Sequence, residues 1–150
     1  MDFRRATLAD VAAITALTRA AYAHLVPLIG REPAPMLADY SVAVADHMID
    51  ILVHPEPIAL IEMIAQPDHL WIENIAVHPD FQGKGLGHRL VDHAVTTARS
   101  LGLNDLRLLT NEAFAANLRF YAGLGFVPTD RTQYKGGFTL HFHKHLAPCG

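Results

Sequence analysis

The residues with the clearest chemical implication lie in a glycine-rich stretch, QGKGLGH, at positions 82–88. Gly83, Gly85 and Gly87 alternate there, directly before a run of residues with helical hydrophobic spacing. Because glycine is a poor helix former, this pattern at a helix entrance indicates that the backbone closely approaches a ligand. The N–H groups of such a loop and of the helix N-terminus can converge on a phosphate group. The stretch therefore predicts a site for a phosphate-bearing cofactor, with Lys84 as a nearby cation.

Two common nucleotide motifs do not fit this stretch. A P-loop requires G-x-x-x-x-G-K-[ST], but Gly83-Lys84 is followed by another glycine. A dinucleotide fingerprint requires G-x-G-x-x-G within a βαβ unit and an acidic residue at the end of the next strand. Here the spacing is G-x-G-x-G, the preceding elements are predicted to form antiparallel hairpins, and Asp105 begins its strand. The interpretation that remains is the pyrophosphate of another cofactor.

Two motifs resemble those of one enzyme superfamily. Gln82-x-x-Gly85-x-Gly87 resembles the acyl-CoA motif [QR]-x-x-G-x-[GA] of the GNAT N-acetyltransferases, and NLRFYAGLGF at 117–126 resembles their motif N-x-x-x-Y-x-x-x-G-F. The specific resemblance covers residues 70–127, and the order of elements is similar over the whole chain. It implies an α/β fold with a mixed, mostly antiparallel sheet of about seven strands and about four flanking helices. It also implies that the fourth and fifth strands splay apart, and that the activity is N-acetyl transfer from acetyl-CoA.

The resemblance assigns part of the chain to acetyl-CoA. The pantetheine arm is implied to bond to the backbone of the fourth strand at Ile75, Ala76 and Val77, much as an added strand would. A backbone N–H near Val77 is implied to meet the thioester oxygen. We expect the pyrophosphate to lie against the loop and helix entrance, which comprise Gln82, Gly83, Lys84, Gly85, Leu86, Gly87 and His88. A side chain at Gly85 or Gly87 would then stand between the backbone and the phosphates.

The implied reaction needs a neutral amine, and because amines have pKa values of about 8 to 10.4, a general base is useful. By the period of two, Glu73, Ile75 and Val77 share one strand face. Glu73 is thus predicted to lie among apolar side chains, which would strengthen it as a proton acceptor, at a position that some superfamily members use for the base. Glu62, on the preceding strand, would face Glu73 across a turn of two or four residues, whereas three would break that register. Glu73, Glu62 and a water chain all remain open as the base.

Tyr121 matches the family tyrosine that approaches the cofactor sulfur, and we predict that it is the general acid. A thiol has a pKa of about 8.5 and a phenol about 10, so a nearby phenol still carries its proton at neutral pH. Tyr121 lies one helical turn after Asn117, which matches the family asparagine that contacts the cofactor, so both can point into one cleft. The alternative is that Tyr121 only packs beside Phe120 and Phe126.

Hydrophobic periodicity indicates the elements that must position these residues. The order is β-α-α-β-β-β-α-β-α-β-β, with a meander of three strands before the glycine loop and a closing hairpin that turns near Lys135-Gly136-Gly137. Thr7 and Asp10 resemble a capping box at the first helix. The predicted helices are 7–25, 35–47, 86–101 and 113–125. The predicted strands are 2–7, 49–54, 57–65, 70–77, 105–110, 126–134 and 137–146.

Composition narrows the class of protein. The 150 residues suit one N-acetyltransferase domain over residues 1–150. The formal net charge is −3 and no basic run occurs, which disfavours a nucleic-acid partner. The single cysteine, Cys149, has no internal partner, and the N-terminus lacks the apolar segment of a signal peptide, so we expect a cytoplasmic protein. No uncharged apolar run approaches the roughly 20 residues that cross a bilayer, so we expect no membrane partner.

The histidines raise the question of a metal site. His141, His143 and His145 alternate on the last strand and would share a face, as metal ligands can. We interpret that face as the solvated side of an outer strand and predict no metal. His78 and His88 flank the glycine loop, where a solvated position or a place at the edge of the pyrophosphate explains both.

The acceptor is a small-molecule or peptide amine that the sequence does not identify. We expect it to be bounded by the first two helices and the last hairpin. Asp39, Asp46 and Glu32 are compatible with a cationic acceptor and equally with solvated helix charges. A homodimer is compatible with the sequence. Two alternatives to the acetyltransferase stay open: an acetyl-CoA-binding sensor or partner module without turnover, and the same fold using another acyl-CoA.

Overall fold

A seven-stranded sheet organises the chain, in the order β1-β2-β3-β4-β5-β7-β6. The computed structural model describes residues 2–148, so Cys149 lies outside the described residues. Neighbouring strands are antiparallel except for the parallel pair β4–β5, as the resemblance implied. The strands are β1 (Phe3–Arg5), β2 (Met48–Val53), β3 (Pro57–Ala65), β4 (Leu70–Val77), β5 (Asp105–Asn111), β6 (Val127–Tyr134) and β7 (Gly137–His145).

Helices and short 3-10 turns cover this sheet. The α-helices are α1 (Val11–Tyr22), α2 (Val26–Ile29), α3 (Ala34–Leu37), α4 (Tyr40–Asp46), α5 (Leu86–Ser100) and α6 (Ala115–Gly123). The single helix predicted over 35–47 is wrong, because Ala38 and Asp39 are extended, with ψ angles of 147° and 102°. The Asp39 carboxylate accepts the Ser41 N–H at 3.0 Å and so begins a new helix, α4.

Two hydrophobic clusters cover the two faces of the sheet. On one face, α5 packs Leu90, Val91 and Ala94 against the strands, in what we call the α5-side cluster. On the other face, the α1-side cluster contains Ile14 of α1 and Tyr40 of α4. Fully burying a large apolar side chain stabilises a fold by roughly 1.5–3 kcal/mol, so these clusters fix the helices on the sheet.

The helical stretch Leu8–Ile29 has the length and mean hydropathy of a membrane-spanning segment, which the sequence inspection did not predict. Among residues 2–148 it is the one helical stretch that meets this test. Its Ile14, Leu17 and Ala21 are buried in the α1-side cluster. Only 28% of its apolar 18-residue window is buried, so packing in the core accounts for part of its apolar composition.

A β-bulge interrupts the pairing of β3 with β4. Their turn, residues 66–69, has the four-residue length for which Glu62 should face Glu73. Pairing keeps that register as far as Met63 and Ile72, but Glu62 then pairs with Asn74, which leaves Glu73 as the extra residue. The predicted Glu62–Glu73 pair is therefore wrong.

The bulge also reverses the alternation of side chains along β4. Ile72 and Ile75 lie three residues apart, yet both contact the α5-side cluster. Val77 contacts the same cluster, whereas Ala76 belongs to the α1-side cluster. A residue inserted in one strand shifts every later side chain to the other face. The prediction that Glu73 shares a face with Ile75 and Val77 is therefore wrong.

Strands β4 and β5 separate soon after they begin. They pair only at Leu70–Leu106 and Trp71–Arg107, while β4 continues alongside β3 to Val77. The splay implied by the resemblance is confirmed, and it opens a gap in the middle of the sheet.

The closing hairpin turns at Lys135 and Gly136, as predicted, and both residues have positive φ. Its second strand, β7, pairs with both β5 and β6. The prediction that the histidine-bearing strand is an outer one is therefore wrong, because β6 takes that position.

Candidate active site

A cavity of about 500 Å³ lies where β4 and β5 separate. Helices α1, α3 and α4 contribute to one wall, and β4, β5 and α6 contribute to the other. Five of the residues predicted to act in catalysis or cofactor binding line it together: Glu62, Glu73, Ile75, Asn117 and Tyr121. Ala76, Val77 and the loop 82–88 lie outside its lining. The chain thus brings the residues proposed for catalysis into one cavity.

The backbone of β4 has an open edge at this gap. The His78 N–H donates to the Ile58 carbonyl of β3 at 2.8 Å. Since alternate residues of a strand direct their backbone groups to opposite sides, Ile75 and Val77 direct theirs away from β3, toward the gap. Ala76 directs its groups to β3 and so does not border the gap. The open edge is what an extended ligand needs in order to pair as an added strand.

Gln82 connects the glycine loop to this edge. Its side-chain Nε2 donates to the Val77 carbonyl at 3.1 Å. The contact ties the start of the loop to the last residue of β4. Gln82 therefore helps to set where the loop begins relative to the open strand.

The glycine loop ends at the N-terminus of α5. Gly85 is the N-cap of the helix and has a φ of +80°, a left-handed conformation that favours glycine. Leu86 is buried in the α5-side cluster and anchors the helix start. The N–H groups of the first turn, at Leu86, Gly87 and His88, have no partner within the helix. Together with the helix dipole, they form a site that favours an anion.

Gly87 has a packing role in addition to the one predicted from the sequence. A Cβ atom on Gly87 would lie 3.0 Å from Cζ of Phe120, so the residue allows α5 to approach α6. At Gly85, by contrast, a Cβ would meet nothing within 4 Å. Gly87 therefore sets helix packing and Gly85 sets the turn, and the expectation that a side chain at either position would stand between the backbone and the phosphates stays a prediction.

Two basic side chains lie beside the loop. The Lys84 Nζ lies 5.3 Å from the centre of the Phe81 ring, and the His88 ring meets the Phe120 ring edge-on at 5.6 Å. Both side chains are exposed. They are therefore free to approach an anion bound at the α5 N-terminus.

Tyr121 both packs in the core and lines the cavity. Its ring packs against Phe120, Phe126 and Phe142, with centroids 5.2–6.3 Å apart. It also lines the cavity together with Asn117, as their spacing on one helix predicts. Burial raises the pKa of the Tyr121 phenol well above its usual value, so the hydroxyl group keeps its proton at any physiological pH.

The setting of Glu73 differs from the one predicted. Glu73 is exposed, and its Oε2 accepts the indole N–H of Trp71 at 2.8 Å. It therefore lies at the rim of the cavity rather than among apolar side chains, because the bulge places it outside the regular pleat.

Glu62 is the buried carboxylate of the cavity. It is only 4% exposed, and its Oε2 lies 2.6 Å from Nδ1 of His47, another lining residue. Burial raises the pKa of Glu62, while the hydrogen bond from His47 opposes that shift. No pattern in the sequence pointed to His47, because it precedes β2 and meets Glu62 only through the β2–β3 pairing.

A second group missed from the sequence connects Tyr22, Asn74 and Tyr40. The Tyr22 hydroxyl donates to Oδ1 of Asn74 at 2.7 Å and lies 3.1 Å from the Ile75 carbonyl. Asn74 Nδ2 donates to the Tyr40 oxygen at 3.1 Å, and the Tyr40 hydroxyl donates to the Pro35 carbonyl. These bonds fix β4 against α1, α3 and α4 at the gap.

The acidic residues considered for the acceptor separate in the structure. Asp39 and Asp46 line the cavity, but the Asp39 carboxylate also caps α4. Glu32 forms an ion pair with Arg19 at 2.8 Å. Arg31 lines the cavity, with its guanidinium 5.5 Å from the centre of the Tyr134 ring. Charges of both signs therefore border the cavity.

The histidines of β7 take part in local contacts. His141 Nε2 lies 3.1 Å from the Thr132 hydroxyl, and His143 Nδ1 lies 3.3 Å from a carboxylate oxygen of Asp105. Within residues 2–148, no group of three or more His, Cys, Asp or Glu side chains is arranged to hold a metal ion.

Comparison with known proteins supplies an independent view of the chain. The model of the acetyltransferase (GNAT) family matches residues 14–126. The [ribosomal protein bS18]-alanine N-acetyltransferase of Salmonella typhimurium is 39% identical over 59 residues, which cover 39% of this chain and 40% of that protein. The chain thus matches less than half the length of this curated relative.

Solved structures show the same fold over the whole length. The PaiA N-acetyltransferase of Thermoplasma acidophilum, solved in complex with coenzyme A, superposes with a TM-score of 0.82 at 15% identity, covering 96% of this chain and 98% of that one. The ribosomal-protein-S18-alanine N-acetyltransferase of Escherichia coli gives 0.78 at 19% identity, covering 99% and 96%.

Proposed function

Because the chain belongs to the acetyltransferase (GNAT) family, we propose that it transfers the acetyl group of acetyl-CoA to a primary amine. The observation that carries this proposal is the gap between β4 and β5, which opens on the cavity that contains Tyr121 and Glu62. The α5 N-terminus and the open edge of β4 provide the two features that the cofactor requires, an anion site and a stretch of strand backbone with which β5 does not pair.

The residues would hold acetyl-CoA as follows. The first-turn N–H groups at Leu86, Gly87 and His88 would receive the pyrophosphate, with Lys84 nearby. The backbone of Ile75 and Val77 would pair with the pantetheine arm. Asn117 lines the cavity beside Tyr121 and would contact the cofactor from α6.

The chemistry is a direct transfer. The amine nitrogen attacks the thioester carbon, the C–S bond breaks, and the amine proton passes to a base. The Val77 N–H would stabilise the negative charge that develops on the carbonyl oxygen. Tyr121 would donate to the departing sulfur. Glu73 and Glu62 both line the cavity and supply carboxylates for the proton.

We expect the acceptor to bind in the part of the cavity that is lined by residues of α3, α4 and the β6–β7 hairpin. Apolar residues such as Val42 and Leu109 line the cavity and are exposed there, so an acceptor with an apolar portion would cover them. A small-molecule amine and the N-terminus of a peptide both satisfy this description.

A screen for CoA release tests the proposal. Purified protein with acetyl-CoA is offered tyramine, spermidine, L-lysine, L-phenylalanine, kanamycin and a peptide with an N-terminal alanine, and free thiol and acetylated product are measured. Turnover of any member supports the function. Tight acetyl-CoA binding without turnover would favour the sensor alternative. Larger thermal shifts with propionyl- or succinyl-CoA than with acetyl-CoA would indicate a different acyl donor.

A further inference from the structure

We propose that His47 is the proton acceptor for the attacking amine and that Glu62 is the residue that positions it. This inference rests on the proposed acetyl transfer. Neither a histidine at the start of β2 nor a carboxylate on β3 was the leading candidate from the sequence, which pointed to Glu73 on β4.

The two side chains form a close pair at the cavity. His47 Nδ1 lies 2.6 Å from Oε2 of Glu62, and both residues line the cavity. Glu62 pairs across the strands with Asn74, the residue before Ile75. Directly paired Cα atoms lie about 4.5–5.5 Å apart. Glu62 is therefore held close to Asn74, which is the neighbour in sequence of Ile75 on the open edge of β4.

Glu62 and His47 differ in how exposed their side chains are, and this difference indicates different roles. The Glu62 side chain is 5% exposed and that of His47 is 29% exposed. A buried ionised carboxylate needs a donor, and the Nδ1–H of a neutral imidazole supplies it. This bond places the free lone pair of the ring on Nε2. His47 can therefore accept a proton at Nε2 and release it to solvent, in the manner of a histidine oriented by a carboxylate.

With this pair, each proton that moves in the reaction has a donor and an acceptor. The bound amine gives one proton to His47 as its nitrogen forms the amide bond, and the C–S bond electrons leave with sulfur. Tyr121, or solvent through it, supplies the proton that sulfur takes. Both groups then return to their starting states by exchange with water, so no further reactant is consumed.

Several titratable groups face the pair from the elements around it. Burial raises the pKa values of Tyr22 on α1 and Tyr40 on α4, and the charge of Glu62 adds to both shifts, so the two phenols stay neutral. Burial also raises the pKa of Glu62, and the charge of Glu73 on β4 adds to that shift. Asp46 directly precedes His47 and lines the cavity. The carboxylates of Glu62, Glu73 and Asp46 favour a positive charge between them, which a protonated His47 or an incoming ammonium would supply.

Glu73 is less suited to the same task. It is exposed at the rim, and the Trp71 indole N–H already occupies Oε2 at 2.8 Å. A solvated carboxylate is a weak proton acceptor near neutral pH, because its pKa is ordinarily about 4.3. An imidazole, ordinarily near 6.5, matches the required range more closely.

The test compares four variants with the wild type. H47Q and E62Q each remove one partner, the double variant removes both, and E73Q removes the carboxylate at the rim. The matched control is H93Q, because His93 Nε2 forms a similar bond of 2.7 Å to Asp50 against the opposite side of the sheet, outside the cavity lining. Each protein is assayed for kcat, KM and the pH dependence of kcat/KM with the panel amine that the wild type acetylates fastest. Acetyl-CoA affinity is measured by calorimetry.

We expect H47Q and E62Q each to lower kcat about 10²-fold with unchanged acetyl-CoA affinity, and the double variant to be no worse than either. The acidic limb of the pH profile should be lost in H47Q and move to lower pH in E62Q, while H93Q should keep the wild-type profile. Wild-type kinetics in folded H47Q would overturn this inference alone. So would loss of the acidic limb in E73Q with H47Q unaffected. Absence of turnover by the wild type would overturn the proposed function and this inference with it.

Discussion

The ring of Phe120 on α6 lies 3.0 Å from the position that a Cβ atom on Gly87 of α5 would occupy. Phe120 also contacts His88 and Tyr121 edge-on, at 5.6 Å and 5.2 Å between ring centres, so it cannot move without affecting both. The helix that would bind phosphate and the helix that carries Tyr121 are therefore coupled through one aromatic ring. This coupling makes Gly87 a point where packing and catalysis can be tested together.

We predict that Gly87→Ala destabilises the protein by about 1 kcal/mol, because overpacking forces the ring to shift. Phe120→Leu should remove most of that penalty when the two changes are combined. Urea unfolding of both single variants and the double variant measures the coupling. Strictly additive changes in the free energy of unfolding would show that the ring and the glycine are independent.

Gly85 allows a sharper test of the anion site. Gly85→Ala should weaken acetyl-CoA binding, because the left-handed N-cap would be strained by roughly 1–2 kcal/mol and the turn would open. Gly136→Ala is the matched control, since Gly136 has the same φ of +80° and a Cβ there also meets nothing within 4 Å. Calorimetry should report weaker binding only for the first. Equal affinity in both variants would remove Gly85 from the cofactor site.

Tyr121→Phe should lower kcat about 10²-fold if the hydroxyl donates to the departing sulfur. The ring contacts to Phe126 and Phe142 are preserved, so thermal stability and acetyl-CoA affinity should change little. Rapid-quench measurements of the transfer step separate chemistry from product release. A wild-type rate for that step would leave Tyr121 as packing and assign the proton to solvent.

Acid stability should depend on Asp10. Its carboxylate accepts bonds from the Arg4 guanidinium and the Thr7 N–H, which lower its pKa from 3.8 to about 2. Because the pKa of Asp10 is lower in the folded chain than in the unfolded chain, its ionised carboxylate stabilises the fold at pH values above 3.8. That contribution is lost as the pH falls from 3.8 toward 2. Asp10→Asn should therefore be less stable than the wild type at pH 6, with the difference shrinking below pH 4. A difference independent of pH in chemical denaturation would contradict this assignment.

Local patterns in the sequence predicted those parts of the site that depend on local structure. The glycine loop, the helix after it and the one-turn spacing of Asn117 and Tyr121 all follow from short-range periodicity. Thr7 and Asp10 also interact as their spacing predicts. Each of these features lies within one element or at its end, where neighbouring residues decide the conformation.

Features that depend on pairing between elements were not predictable in the same way. The bulge at Glu73 inserts a residue without changing the turn length, so the hydrophobic pattern alone could not place Glu62 opposite Asn74. His47 meets Glu62 only because β2 and β3 align in a particular register. Tyr22 and Tyr40 reach Asn74 from separate helices, and their spacing in the sequence does not predict these hydrogen bonds.

The gap between β4 and β5 also has a consequence for how the domain opens. Within residues 2–148, only two pairs of residues with paired backbones join the four strands on one side of the gap to the three on the other. Helix α5 packs against β3, β4 and β5 and so forms the main bridge between these half-sheets. In the free protein the halves should behave as separate units of amide hydrogen exchange. A ligand that pairs with β4 within the gap would join the halves into one cooperative unit. Amide hydrogen exchange would then become slower even in strands that the ligand does not contact.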